Sequence, residues 1–243
     1  MSKKGFKRFT ERKRVSGRKG FVKIAAFAFF LFLPGLPVFS QNGQEPLQYF
    51  HMGRNLERQG RMDEAIFYYN EAIRISYNMI HLNTANRDSF TALVWSLQRL
   101  QRYPEVIAWG TRGLDLFADE YRIVHTMGAA YFFLNNHDES LRFMQRYVHS
   151  LPRGAQASVA YFFIGEIFRL RRQFHRADIA YSTAVHLEPN AALWWFRLGT
   201  VREAVGDYLH AINAYERALA LNPNHQQARE GLIRSQRLAG LGN

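Results

Sequence analysis

The side chains that usually carry chemistry are present in this chain, but they do not converge. Its 243 residues include nine histidines and no cysteine. No two histidines stand one helical turn apart, the spacing that lets a helix face hold a metal ion. Without cysteine there is no thiolate nucleophile, no thiolate metal site and no disulfide. The glycines do not gather into a phosphate-binding loop, because they sit inside apolar stretches of helical period. Glu166 and Glu203 occupy equivalent faces of neighbouring stretches but are offset by one helical turn, so they read as polar surface-lining residues rather than an acid/base pair. No catalytic group, metal site, cofactor or small-molecule substrate is expected. The residue type that stands out is arginine: from residue 41 to the end there is no lysine at all. A guanidinium presents a planar fork to carboxylates and phosphates, whereas an ammonium is a point charge. A bias in genome composition gives the same pattern without any function.

The elements that must position these side chains are read most clearly at 192–225. Trp195, Leu198 and Gly199 share one helical face, Ala211, Tyr215 and Ala218 share another, and the turn signal Gly206-Asp207 separates them. A helical hairpin follows, with Gly199 and Ala211 small where the two helices come closest. Thirty-four residues earlier the pattern returns as Tyr161, Ile164, Gly165, Phe168, Ala177, Tyr181, Ala184 and Pro189. It returns again as Val124, Met127, Gly128, Tyr131, Ser140, Met144, Tyr147 and Pro152. Two further copies lie upstream, at Phe90–Ala118 and Tyr49–Tyr77. Glycine inside a helix costs roughly 1 kcal/mol against alanine. A glycine at the same phase in four of the five copies therefore implies a packing constraint, and Gly165 is expected to meet Ala177.

These residues resemble the tetratricopeptide repeat family, whose unit is about 34 residues with a W-x2-L-G-x2-Y…A-x3-F…P pattern. The resemblance implies an all-α solenoid of antiparallel helix pairs in a right-handed superhelix. It gives repeats at 46–79, 87–120, 121–154, 158–191 and 192–225, then a capping helix at 226–241. Repeat five departs from the pattern at Arg202, which stands where an aromatic is usual. Repeat two departs at Gly110, where a large residue should pack; together with Gly113 it either admits Trp95 or Trp109 or makes a pliable joint. Residues 80–86 are an insertion, absorbed by longer helices or spent as a loop. Asn224, with Gln227, is expected to cap the last helix, leaving Arg229, Arg234 and Arg237 facing outward.

The resemblance also implies a binding role, with the first helix of each repeat lining a concave groove that holds a protein or peptide partner. Carried over position by position, the groove residues are Phe50, Arg54 and Arg58 in repeat one and Trp95 and Arg99 in repeat two. Arg122 and Phe132 follow from repeat three, Phe162, Glu166 and Arg169 from repeat four, and Phe196 from repeat five. The Lys and Asn pattern by which some members clamp a C-terminal carboxylate is missing. The expected role is a non-enzymatic interaction scaffold. The alternative is an adaptor that docks anionic envelope components through arginine patches such as 169–176, a stretch that reads equally as a solvated turn.

The chain as a whole carries +12, with pI near 10.2, a balance that suggests nucleic acid. Ten of its basic residues, against one acid, lie in residues 1–40, and the remainder is only +3. Nucleic acid is therefore not an expected partner. Residues 1–40 are a basic segment, then the apolar run Ile24–Leu33, then Val38-Phe39-Ser40, the layout of a secretory signal peptide. Export through the general secretory route to the periplasm or cell envelope follows, with retention as an inner-membrane anchor through 21–39 as the alternative. A membrane-associated partner fits either. Cleavage before Gln41 is checked by intact mass: the exported product is expected to match residues 41–243, and a full-length mass in carbonate-washed membranes would indicate the anchor.

Overall fold

A computed structural model of the chain describes residues 45–241, and within them the chain is helix and turn throughout, with no strand. The signal-peptide reading of 1–40 falls outside the described residues. Five helix pairs follow one another. They are α1 (Pro46–Arg58) with α2 (Met62–His81), α3 (Arg87–Arg99) with α4 (Tyr103–Leu116), and α5 (Tyr121–Phe133) with α6 (His137–Ser150). Then come α7 (Ala157–Leu170) with α8 (Phe174–Leu187), and α9 (Ala192–Ala204) with α10 (Tyr208–Leu221). The last helix, α11 (Gln226–Leu238), packs on α10 and α9. The second helix of each pair packs on the first helix of the next, and α1, α3 and α5 also touch in succession, forming an inner layer. No described helix is long and apolar enough to cross a membrane.

Local chemistry fixes the helix ends. Asn86 and Ser89 form a reciprocal capping box at the start of α3, while Asn136 and Asp207 accept from backbone N–H groups at the starts of α6 and α10. Pro46 and Pro104 lie in first turns, where a missing N–H is harmless. Every turn inside a pair contains one left-handed residue: Gly60, Gln101, Asn135, Arg172 and Gly206. Two of the five are glycine, the residue that adopts this conformation without steric cost. The insertion at 80–86 goes mostly into α2, which runs 20 residues where the later second helices run 14. The last helix is capped by His225, whose ring accepts from the Ala228 N–H, and not by Asn224, because α11 begins one residue after that histidine.

The glycines serve a ring more than a small residue. A Cβ on Gly165 would lie 2.6 Å from the Tyr181 ring, one on Gly199 would lie 2.7 Å from Tyr215, and one on Gly53 would lie 2.6 Å from Tyr69. In each case a fully buried tyrosine sixteen residues downstream lies against bare backbone. At Gly165 it is Tyr181 that takes the space the missing side chain leaves, while Ala177 is fully buried on α8. In the third pair Met144 replaces the tyrosine, and Ser140 bonds the Gly128 carbonyl at 2.8 Å. The second pair inverts the arrangement, with Val94 on the first helix and Gly110 on the second. Met127 fills the space over Gly110, and Ile123 and Phe90 fill that over Gly113; neither Trp95 nor Trp109 enters.

Arg202, the departure in the fifth pair, reaches back to the preceding one, with its Nε 2.8 Å from Asp178 and its Nη2 3.1 Å from the Ser182 hydroxyl. An ion pair between helices therefore replaces the aromatic contact.

Gly165→Ala tests the glycine constraint. Its methyl gains about 1 kcal/mol of helix propensity but must displace a closely packed ring, so a net loss of about 1–3 kcal/mol is expected in urea denaturation. An unchanged midpoint would show that Tyr181 moves aside freely.

Candidate interaction site

The same tyrosines extend beyond the glycines to carboxylates. The Tyr69 hydroxyl donates to Glu57 at 2.6 Å, Tyr181 to Glu166 at 2.5 Å, and Tyr215 to Glu203 at 2.6 Å. Each carboxylate then meets an arginine from the next first helix in the stack: Arg99 reaches Glu57, Arg197 lies 2.9 Å from Glu166, and Arg234 lies 2.9 Å from Glu203. Burial, followed by the adjacent Glu166 charge, pushes the Tyr181 phenol well above its ordinary value, so it stays a donor. Glu166 and Glu203 are therefore structural acceptors. Arg234 is exposed, as expected of an outward side chain, and from there it also clasps α11 to α9.

Between α1, α3 and α5 the inner layer opens into a hollow of about 940 Å³, and the connection from α6 to α7 contributes Leu151, Ala155 and Gln156 to its wall. Six of the expected groove residues line it: Phe50, Arg54, Arg58, Trp95, Arg99 and Arg122. The Trp95 ring sits 5.0 Å from that of Phe50, and the Arg122 guanidinium lies 6.0 Å from the Trp95 ring. Arg122 is matched by Glu120 at 2.7 Å and Asp88 at 2.8 Å. The charge-assisted bonds to Glu120 hold its pKa above the usual arginine value. On the opposite wall Arg54, 3.8 Å from Glu57, shares that one carboxylate with Arg99. Among the described residues Arg58 has no carboxylate partner and is exposed.

The other five candidates lie elsewhere. Phe132 packs edge-on against Phe163 at 5.0 Å, Phe162 stacks on Trp194 at 5.1 Å, and Phe196 is buried with His225 at 4.5 Å. Glu166 is buried, and Arg169 is bonded to it at 2.7 Å. These rings pack one helix pair against the next, and none of the five lines the hollow between α1, α3 and α5. Tyr103, Phe133, Phe163, Phe162 and Trp194 instead follow one another ring to ring across the later pairs. The arginine turn is also largely engaged, with Arg171 on Asp138 at 2.6 Å and Arg176 over the Phe168 ring at 4.1 Å.

Position-by-position transfer did not supply several wall residues. Tyr147 comes from a second helix, and Leu151, Ala155 and Gln156 come from a connection that has no counterpart in the repeat unit. The extra residues between the third and fourth units were the available signal. His125, which the same transfer places on the groove side of repeat three beside Arg122, does face the hollow; its ring lies 5.3 Å from that of Tyr147, and its Nε2 has no hydrogen-bond partner. Burial pushes its pKa down to about 4. The unfolded chain takes up this proton near pH 6.5, while the folded chain refuses it until about 4, so folding stability falls as pH drops through that window. The loss from this group is on the order of 3 kcal/mol, and His125→Phe is expected to lessen the stability lost between pH 7 and pH 4 by that amount in urea titrations.

Comparison with known proteins gives a tetratricopeptide repeat match at residues 46–78 and 192–225, the first and fifth helix pairs. Human protein O-mannosyl-transferase TMTC1 is 26% identical over 180 residues, covering 74% of this chain and 20% of that protein. The chain thus spans about a fifth of the length of that curated relative. Among solved structures, MamA (residues 41 to the end) from Desulfovibrio magneticus RS-1 superposes with a TM-score of 0.55 at 18% identity, covering 76% of this chain and 98% of that one. YrrB, described as a TPR protein with an unusual peptide-binding site, gives 0.53 at 15% identity over 75% of this chain and 89% of its own. The chain thus carries tetratricopeptide repeats in its first and fifth helix pairs, and the three pairs between them continue the same helix-turn-helix array.

Proposed function

We propose that this chain is an interaction scaffold that holds a segment of a partner protein in the hollow between α1, α3 and α5. The observation that carries this reading is the hollow itself, about 940 Å³ with Trp95, Phe50 and four arginines in its wall. Aromatic and arginine side chains gathered in a concavity are the composition of binding hot spots, and the volume suits a few side chains of a bound segment. The peptide-binding site in the description of YrrB favours the same use of this fold. The mannosyl-transferase is matched over a fifth of its own length, so its activity is not carried over to this chain. A place in the cell envelope, by export or by an N-terminal anchor, rests on the composition of residues 1–40.

A photoreactive amino acid at Gln98, in the wall of the hollow, tests the site against one at Ile179, which is 68% exposed elsewhere on the array. Crosslinks to polypeptide are expected from position 98 and not from 179. Trp95→Ala is expected to weaken capture by about 2 kcal/mol, roughly thirtyfold, with helicity retained. Equal crosslinking from both positions would place the contact surface outside the hollow.

A further inference from the structure

We propose that the hollow selects an acidic segment of its partner, one that presents two or more carboxylates beside an apolar side chain. This rests on the scaffold reading and adds the chemistry of what is held. The charges in the hollow are not evenly compensated. On the α5 side Arg122 has two carboxylates of its own, Glu120 and Asp88. On the α1 and α3 side Arg54 and Arg99 share Glu57, which already accepts from the Tyr69 hydroxyl, and Arg58 has no carboxylate partner among the described residues. Burial and the nearby Arg54 charge hold the Arg99 guanidinium below the usual arginine value.

Arg54 and Arg58 are one turn apart on α1, about 6 Å between their Cβ atoms, so neighbouring carboxylates on one segment can engage both. Guanidinium forks hold carboxylates in a fixed orientation. The half-buried Trp95 face beside them offers apolar cover, and His125 adds a buried ring nitrogen without a partner. A concavity of about 940 Å³ takes a few side chains, which excludes a nucleic-acid duplex. Residues 1–40 of this chain, at net +9, carry the wrong sign to occupy it.

The test is fluorescence anisotropy on the full chain with a labelled ten-residue peptide of alternating Glu and Leu, its Gln-for-Glu counterpart, and anionic phosphatidylglycerol vesicles. The acidic peptide is expected to bind at least tenfold tighter than the Gln form and to weaken as salt rises. Arg58→Gln, which breaks no ion pair among the described residues, is expected to lower that affinity about tenfold, with Arg58→Lys intermediate. If the Arg58→Gln variant binds the acidic peptide unchanged, the basic residues 1–40 hold it and the proposal is overturned. Vesicle binding lost to the same degree on Arg58→Gln would also overturn it, in favour of a headgroup site. If the two peptides bind alike while position 98 still crosslinks a partner, the acidic preference falls and the scaffold reading stands. If neither peptide binds and position 98 crosslinks nothing, both fall.

Discussion

Three of the five helix pairs depend on one contact, a tyrosine ring laid on a glycine backbone with its hydroxyl held by a carboxylate. The ring fixes how closely two antiparallel helices approach, because any side chain at Gly53, Gly165 or Gly199 would occupy its place. The hydroxyl fixes where the glutamate points, and the glutamate then receives an arginine from the next first helix in the stack. Packing within a pair and docking between pairs are thus set by the same tyrosine and the carboxylate it holds. Tyr215 carries this furthest: its ring lies between Gly199 and Gly231, so α10 is gripped from α9 and α11 at once. Buried charges are costly unless every partner is in place, so the clasp fixes register more than it adds stability.

The fold was legible in the sequence because its constraint falls on residue types that otherwise have no reason to recur. Glycine is unfavourable inside a helix, and a glycine with a tyrosine sixteen residues on, at a repeating interval, identifies the hairpins. What spans two repeats was not legible. Arg234 reads as an outward side chain of a polar helix, since its partner Glu203 is 31 residues away and on no shared periodic face. Gly110 reads as a gap because the residue that fills it, Met127, comes from the following repeat. Asn224 lost the cap to His225 through a one-residue shift, a resolution that capping preferences alone do not reach.

The candidate site was half legible, for a related physical reason. Transferring positions along the first helices supplied Phe50, Arg54, Arg58, Trp95, Arg99 and Arg122, all of which meet in one hollow. The same transfer applied to Phe132, Phe162 and Phe196 gave aromatics that neighbouring pairs use to close against each other. Periodicity shows which face a side chain leaves from; whether an adjacent ring is already waiting there depends on the next repeat. The wall formed by Leu151, Ala155 and Gln156 belongs to a connection, where repeat arithmetic assigns nothing.

The cations of the hollow are all guanidiniums, and beyond residue 40 the chain has no amine side chain at all. Acetylation, ubiquitin attachment and other lysine-directed modifications therefore have no handle within the array. A guanidinium also keeps its proton across any pH a cell meets, so the positive wall at Arg54, Arg58 and Arg99 is a constant of the molecule. In the proposed role, neither lysine modification nor pH would tune the charge of this wall, and ionic strength would.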